Sequence, residues 1–169
     1  EQKSQASVAH MPKRDPPHYS LDLGDATGQM AYWDNGGTGD NRQALLLLHG
    51  LFDHKGTWRQ LYPRLERRFR LIAPDLLGSG LSAQPRLADA PAGYAYSPAM
   101  HCAHISALIE HLALDNLVLG GNSLGAGIAL YLLYSQPHLC HRVRGLVLLD
   151  PAAYPQTLPG AIGPMGSWP

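Results

Sequence analysis

Residues 117–127, LVLGGNSLGAG, decide the fold of this chain. The apolar run Leu117–Leu119 is typical of a buried strand, and Leu124–Ser135 is an apolar stretch long enough for a helix. Between them, residues 121–125 read GNSLG, the G-x-S-x-G pattern of a nucleophile elbow. Five residues are a weak signal alone, so the predicted strand before them and helix after them carry the interpretation.

The elbow pattern has a physical reason. A serine on a sharp strand-to-helix turn has a strained backbone, and Gly121 and Gly125 let the strand and helix approach closely enough to hold Ser123 there. The following helix directs its free N–H groups and positive dipole end toward an oxyanion formed on an attacked carbonyl. We therefore predict Ser123 as the nucleophile and the Leu124 N–H as one oxyanion donor.

The remaining segments alternate between apolar strands and helices with one apolar face. Strands are predicted at Tyr19–Leu23, Gln29–Trp33, Ala44–Leu48, Leu71–Ala73, Leu117–Leu119 and Val143–Leu149. Helices are predicted at Trp58–Phe69, Ala99–Leu112 and Leu124–Ser135. The first two strands fit a hairpin at a sheet edge. Strands separated by helices predict an α/β fold with a doubly wound, mostly parallel sheet.

A second oxyanion donor must come from another loop. The strand Ala44–Leu48 ends in His49-Gly50, where the glycine permits a tight turn beside the elbow. We predict the Leu51 N–H as this donor, with Phe52 as the next choice.

Three motifs together resemble one known family. LLLLHGLF at 45–52, APDLLGSGLS at 73–82 and LGGNSLGAG at 119–127, in this order and spacing, resemble the α/β-hydrolase fold superfamily over roughly residues 19–150. The resemblance implies that the His-Gly segment shapes the oxyanion hole, that the Asp75 segment is a turn after a core strand, and that Ser123 is the nucleophile. It implies no cofactor and no metal.

Each of these residues also has an alternative role. Ser123 in a scaffold without catalysis would be a turn serine, but three motifs in family order favour the nucleophile. A carboxylate beside a Gly-rich turn usually accepts backbone N–H bonds, so a structural role is favoured for Asp75. His49 is expected to fix its loop, since the family's histidine at this position is not the base.

The catalytic base has no candidate in this chain. Family order is serine, acid, histidine, and after Ser123 the chain has only His138 and His141. They follow a 12-residue helix about 18 Å long, which places them too far away. On the preceding helix, His101, His104 and His111 are expected to be surface or packing residues. Asp150, after the sixth strand, is the acid candidate within the chain.

The acid and histidine are therefore expected in a missing C-terminal part. We expect residues 1–17 to be a flexible arm, residues 18–150 the N-terminal part of a hydrolase core, and residues 151–169 the start of a lid. The fold is expected to be truncated after about its sixth strand, which leaves Val143–Leu149 as a bare apolar edge. The isolated chain should be inactive and poorly soluble unless a C-terminal chain completes the sheet.

Composition excludes several classes of partner. Thirteen basic residues balance thirteen acidic ones, so the chain has no summed charge to hold nucleic acid or an anionic bilayer. No segment has the length of a membrane span, which predicts a soluble protein, with the cytoplasm slightly favoured. The first residue is Glu1, so the compartment stays open. Cys102 and Cys140 are expected to be buried thiols in different helices.

These observations favour a carboxylic ester hydrolase that forms an acyl-enzyme at Ser123 and acts on a small-molecule ester or related acyl substrate. Gly-Asn-Ser at the elbow also resembles the carbon–carbon bond hydrolases of aromatic ring-fission products, which remain an alternative. A non-catalytic fragment that binds a small apolar ligand or a partner chain is the alternative from another class.

Overall fold

One six-stranded sheet organises the chain. The computed structural model describes residues 15–24, 28–37, 43–86 and 96–152. The strands are β1 His18–Asp22, β2 Gln29–Asp34, β3 Ala44–Leu48, β4 Arg70–Pro74, β5 Leu117–Asn122 and β6 Val143–Leu149. The α-helices are α1 Tyr62–Leu65, α2 Pro98–His111 and α3 Leu124–Ser135, with 3₁₀ turns at Lys55–Gln60 and Pro137–Leu139.

The strand order is β1-β2-β4-β3-β5-β6. β1 pairs antiparallel with β2, and β2 pairs antiparallel with β4. The pairs β3–β4, β3–β5 and β5–β6 are all parallel. This arrangement confirms the doubly wound, mostly parallel sheet, with the predicted hairpin at one edge.

The central strand β3 serves two hydrophobic cores. All five of its residues are buried. Leu46 and Leu48 belong to the core that α2 and α3 cover, whereas Leu45 and Leu47 pack on the opposite face with Trp58. Because successive side chains of a strand point to opposite faces, a continuous aliphatic run is what a strand covered on both sides requires.

The helix predicted over Trp58–Phe69 is wrong in extent. A 3₁₀ turn covers Lys55–Gln60 and a four-residue α-helix covers Tyr62–Leu65, with Pro63 in the first turn of α1. Proline lacks an N–H and favours the first turn of a helix, so it starts a new helix here and does not continue the preceding turn. The segment nevertheless has a buried face, since Trp58 and Tyr62 are both buried.

Cys140 corrects another expectation. Cys102 is buried in α2, but Cys140 is exposed, at the end of the 3₁₀ turn that follows α3. Leu139 of this turn is buried in the core, whereas the next residue, Cys140, lies at the surface.

The ends of the described chain bear on two further expectations. The Arg59 Nε–H donates a hydrogen bond to the Asp15 carboxylate at 2.6 Å. Residues 1–14 of the predicted flexible arm lie outside the described residues. So do residues 153–169 of the predicted lid segment. Among the described strands β6 has β5 as its one neighbour, and its side chains Leu146, Val147 and Leu149 are exposed.

Candidate active site

Ser123 occupies the turn between β5 and α3 in a conformation that few residues adopt. Its φ is 50° and its ψ is −112°. Three backbone hydrogen bonds hold the turn: the Ser123 N–H donates to the Leu149 carbonyl at 2.9 Å, and the Ser123 carbonyl accepts from Gly127 and Ala152 at 3.0 and 3.1 Å. The end of β6 and the first turn of α3 thus fix the backbone at an energetically costly point.

The two glycines of the motif are required by close packing. A Cβ on Gly125 would overlap the Leu48 carbonyl at the end of β3, and a Cβ on Gly121 would overlap the backbone of Gly125. Backbone atoms cannot move aside as a flexible side chain can. The strand-to-helix turn therefore depends on both glycines, as the sequence pattern predicts.

The His49-Gly50 loop lies beside the elbow. A Cβ placed on Gly50 would be 3.6 Å from the Ser123 Cβ and 3.3 Å from the side-chain nitrogen Nδ2 of Asn122. Within the described part of the chain, the N–H groups of Leu51 and Leu124 donate no hydrogen bond. The structure thus places the Gly50 loop, which precedes Leu51, next to Ser123 and Leu124, and the assignment of the two N–H groups as oxyanion donors stays a prediction.

His49 links this loop to the Asp75 loop. Its side chain is fully buried; Nε2 accepts from the Leu76 N–H at 2.9 Å, and Nδ1 lies 2.8 Å from the Gly50 carbonyl oxygen. Burial lowers the pKa of His49, partly offset by the hydrogen bond to Gly50. Both ring nitrogens are occupied, so His49 fixes the loop as expected and has no nitrogen free to take a proton from Ser123.

Asp75 has the structural role that was favoured for it. Oδ1 accepts from the Lys55 N–H at 2.7 Å, and Oδ2 accepts from the Leu81 N–H at 2.8 Å and forms an ion pair with the Lys55 ammonium. Burial raises the pKa of Asp75, but the bonds from Leu81 and Lys55 outweigh it, so the pKa lies below its ordinary value. A Cβ on Gly80 would overlap this carboxylate, which explains a glycine in that turn.

Lys55 was missed by the sequence reasoning. Its side chain is 4% exposed, and its ammonium lies 5.9 Å from the Trp33 ring centroid as well as against Asp75. Nothing local marks this lysine, because its partner Asp75 is 20 residues further along the chain. A buried lysine paired with a carboxylate is detectable only once the fold brings the two loops together.

Ser82 closes the Asp75 loop onto the sheet. Its hydroxyl donates to the Asp75 carbonyl at 2.6 Å and accepts from the Ala31 N–H of β2 at 2.9 Å. The end of the Asp-x-x-Gly-x-Gly-x-Ser segment is therefore fastened to a neighbouring strand, consistent with a turn after a core strand.

Asp150 lies next to the elbow but has no contact that assigns it a role. It follows β6, is exposed, and has a φ of 44°. The preceding residue, Leu149, accepts the hydrogen bond from the Ser123 N–H. The assignment of Asp150 as the catalytic acid stays a prediction.

The side-chain hydrogen bonds of His18, His49 and His54 join these histidines to groups other than the Ser123 hydroxyl. His138 and His141 lie beyond the far end of α3, as predicted. His101 and His104 are buried packing residues of α2, whereas His111 is exposed. Burial, with the neighbouring His104 and His49, lowers the pKa of His101 to about 4.

The described residues contain neither a candidate metal site nor a candidate membrane-spanning helix. No group of three or more metal-ligating side chains is found among them. No described helix has both the length and the apolar character needed to cross a bilayer.

A family model of the alpha/beta hydrolase fold matches residues 43–168. The chain belongs to this family. An uncharacterized protein of Mycobacterium tuberculosis (strain H37Rv) is 39% identical over 100 residues, which are 59% of this chain and 27% of that protein. The 2-hydroxymuconate semialdehyde hydrolase of Pseudomonas sp. (strain CF600) is 37% identical over 111 residues, 64% of this chain and 36% of the relative.

Other similar proteins have different activities. Haloalkane dehalogenase 2 of Mycobacterium tuberculosis is 32% identical over 137 residues, 79% of this chain and 43% of the relative. Among solved structures, a bacterial membrane phospholipase A has a TM-score of 0.67 at 26% identity, covering 84% of this chain and 42% of the other. E-2-(acetamidomethylene)succinate hydrolase has a TM-score of 0.62 at 27% identity, covering 77% and 42%. The chain spans less than half the length of each of these relatives.

Proposed function

We propose that this alpha/beta hydrolase chain carries the nucleophile of a serine hydrolase that acts on small carboxylic esters. The observation that supports it is the backbone of Ser123, at φ 50° and ψ −112°, on a turn that two close-packed glycines and three hydrogen bonds hold in place. Strain of this kind persists only where the surrounding structure enforces it, and it is common at reactive residues.

The proposed reaction runs in two steps. The Ser123 hydroxyl attacks the ester carbonyl, its proton passes to a histidine base, and the oxyanion accepts hydrogen bonds from the Leu51 and Leu124 N–H groups. The bond to the alcohol then breaks as the histidine returns this proton to the leaving oxygen. In the second step the histidine takes a proton from water, which attacks the acyl-enzyme and releases the acid and free Ser123. The base is proposed to come from sequence outside this chain, as family order implies, with Asp150 as the acid candidate within it.

The serine itself narrows the reaction class. The resemblance to the α/β-hydrolase superfamily implies an aspartate as the elbow nucleophile of haloalkane dehalogenases, whereas this chain has Ser123 at that position. The similarity to a dehalogenase therefore supports the fold more than the reaction, whereas the phospholipase and hydrolase neighbours agree with acyl chemistry.

Labelling with a fluorophosphonate tests the proposal. The full-length protein should take up one phosphonyl group, mapped by mass spectrometry to Ser123, and should turn over p-nitrophenyl butyrate. The S123A variant should do neither. A wild-type protein that folds but stays unlabelled would favour the non-catalytic alternative.

A second candidate is a carbon–carbon bond hydrolase of aromatic ring-fission products. It is favoured by the 37% identity to 2-hydroxymuconate semialdehyde hydrolase and by the Gly-Asn-Ser sequence at the elbow. The two candidates separate by substrate. The absorbance of 2-hydroxymuconate semialdehyde measures its consumption. A kcat/KM higher for this substrate than for p-nitrophenyl butyrate would select the carbon–carbon bond hydrolase.

A further inference from the structure

The ring of His49 is hydrogen-bonded to one particular peptide group of the candidate site. Its Nδ1 lies 2.8 Å from the Gly50 carbonyl oxygen, and that carbonyl shares a peptide unit with the Leu51 N–H. We propose that His49 is a positioning residue that orients the Leu51 N–H toward the oxyanion formed at Ser123. This inference rests on the proposed function, because it assigns Leu51 as an oxyanion donor.

The tautomer of His49 follows from its second contact. The Leu76 N–H donates to Nε2 at 2.9 Å, so Nε2 must carry a lone pair and not a hydrogen. In a neutral imidazole the hydrogen is then on Nδ1, where it donates to the Gly50 carbonyl. Leu76, which follows β4, thus sets which ring nitrogen faces the oxyanion loop.

Peptide geometry transmits this bond to the other end of the unit. No cis peptide bond is found among the described residues, and in a planar trans unit the C=O and N–H point in opposite directions. Fixing the Gly50 oxygen therefore fixes the direction of the Leu51 N–H. A hydrogen bond to the carbonyl also polarises the unit and strengthens the N–H as a donor.

Among the residues that the structure describes, few other groups hold this peptide. Gly50 has no side chain, while Leu51 and Phe52 are 39% and 75% exposed, so packing constrains them weakly. Glycine also has the widest choice of backbone conformations. The next anchor along the chain is Lys55, which Asp75 holds through both its backbone N–H and its ammonium. The His49 bond is thus the side-chain restraint nearest the proposed donor.

Two substitutions separate orientation of Leu51 from simple anchoring of the loop. H49N places an amide nitrogen where Nδ1 was, so it keeps a donor to the Gly50 carbonyl and loses the bond to Leu76. H49Q reaches the position of Nε2, so it keeps an acceptor for the Leu76 N–H and loses the bond to Gly50. Each variant loses one of the two bonds, which makes them matched controls for stability.

The measurements are kcat and KM for p-nitrophenyl butyrate and the Kd of a trifluoromethyl ketone, which forms an oxyanion on Ser123. In the full-length protein, H49Q should lower kcat and weaken ketone binding by roughly 10- to 100-fold, somewhat less than removal of an oxyanion donor, with KM within about 3-fold. H49N should stay within about 5-fold of wild type on all three quantities, and exposed His111 supplies the control H111Q.

Either of two results would overturn the positioning role: equal losses in H49N and H49Q, or a larger loss in H49N. A wild-type protein that is not labelled by the fluorophosphonate would instead refute the proposed function. Should the variants fail to fold, ¹⁵N spectra of the wild-type histidines test the hydrogen bond to the Gly50 carbonyl on which the inference depends. His49 should be the Nδ1–H tautomer, and an Nε2–H tautomer would contradict the inference.

Discussion

Ser123 combines two demands that conflict in one residue. Chemistry needs a hydroxyl at the turn, whereas a φ of 50° with a ψ of −112° favours a residue without a Cβ. The backbone energy stored there should therefore be measurable separately from activity.

The S123G and S123A variants should separate the loss of the hydroxyl group from the relief of backbone strain. Both remove the hydroxyl and should abolish labelling and ester turnover. S123G alone relieves the steric cost of a Cβ, so its free energy of unfolding should exceed that of S123A by about 1 kcal/mol or more. Urea unfolding of the two proteins measures the difference. Because glycine also costs about 0.4–1 kcal/mol relative to alanine through the unfolded chain, an S123G protein less stable than S123A by that amount would show that the turn is unstrained.

Gly125 gives a second prediction at the scale of one residue. G125A would place a Cβ against the Leu48 carbonyl, a backbone atom that cannot move without disturbing β3. We expect a loss of about 2–4 kcal/mol in the free energy of unfolding, large enough to outweigh the better helix propensity of alanine. G145A is the control, since its Cβ would meet Val118 at an ordinary 3.9 Å and should cost under about 1 kcal/mol. Comparable losses in both variants would contradict the close-packing argument.

The helix α2 makes folding sensitive to mildly acidic pH. His101 is 5% exposed on this helix, and its pKa is lowered to about 4. An unfolded histidine titrates near 6.5, so the unfolded chain binds the proton first as the pH falls. The stability due to a neutral His101 is fully present above about pH 6.5 and is lost progressively down to about pH 4.

Replacing His101 should remove that dependence. Between pH 6.5 and 4 the wild-type free energy of unfolding should fall by about 3 kcal/mol more than that of H101Q, as measured by chemical denaturation at each pH. H111Q changes an exposed histidine of the same helix and should keep the wild-type slope. A wild-type slope in H101Q would show that His101 does not couple to folding.

The elements also show what sequence can and cannot predict. The aliphatic run Ala44–Leu48 identified β3 with its observed bounds, because a strand covered by helices on both faces needs continuous apolar residues. β6 also has its predicted bounds, although Arg144 and Gly145 interrupt its apolar residues. The helix after β3 was predicted too long, since apolar spacing does not register the break that Pro63 imposes. Contacts such as Lys55 with Asp75 join distant loops and leave no local pattern.

At the scale of the whole molecule, the family and the elbow follow from three local motifs, whereas the pocket does not. The motifs concern backbone turns around Ser123, and turns are encoded by a few neighbouring residues. A substrate pocket is formed by side chains from many segments, so its shape depends on tertiary structure that these motifs do not contain.

The exposed face of β6 predicts how the isolated 169-residue polypeptide behaves. Leu146, Val147 and Leu149 are 39–48% exposed on a strand with one described strand neighbour. An apolar strand edge promotes association, so the polypeptide should aggregate, and V147K should raise its monomeric fraction in light scattering. L81K, which also replaces an exposed apolar residue by lysine but lies away from the edge, serves as the control. An equal gain from L81K would mean that general surface polarity, and not this strand, controls association.

The position of β3 between β4 and β5 has a consequence for synthesis on the ribosome. Its parallel partner β4 is complete once residue 74 has emerged, but the partner on its other side, β5, ends roughly fifty residues later. At about 5–20 residues per second, that interval lasts about 3–10 s. During this interval the aliphatic strand β3 has an open backbone edge, the kind of surface that chaperones protect. Codon choice between β4 and β5 would then influence yield without altering the finished protein.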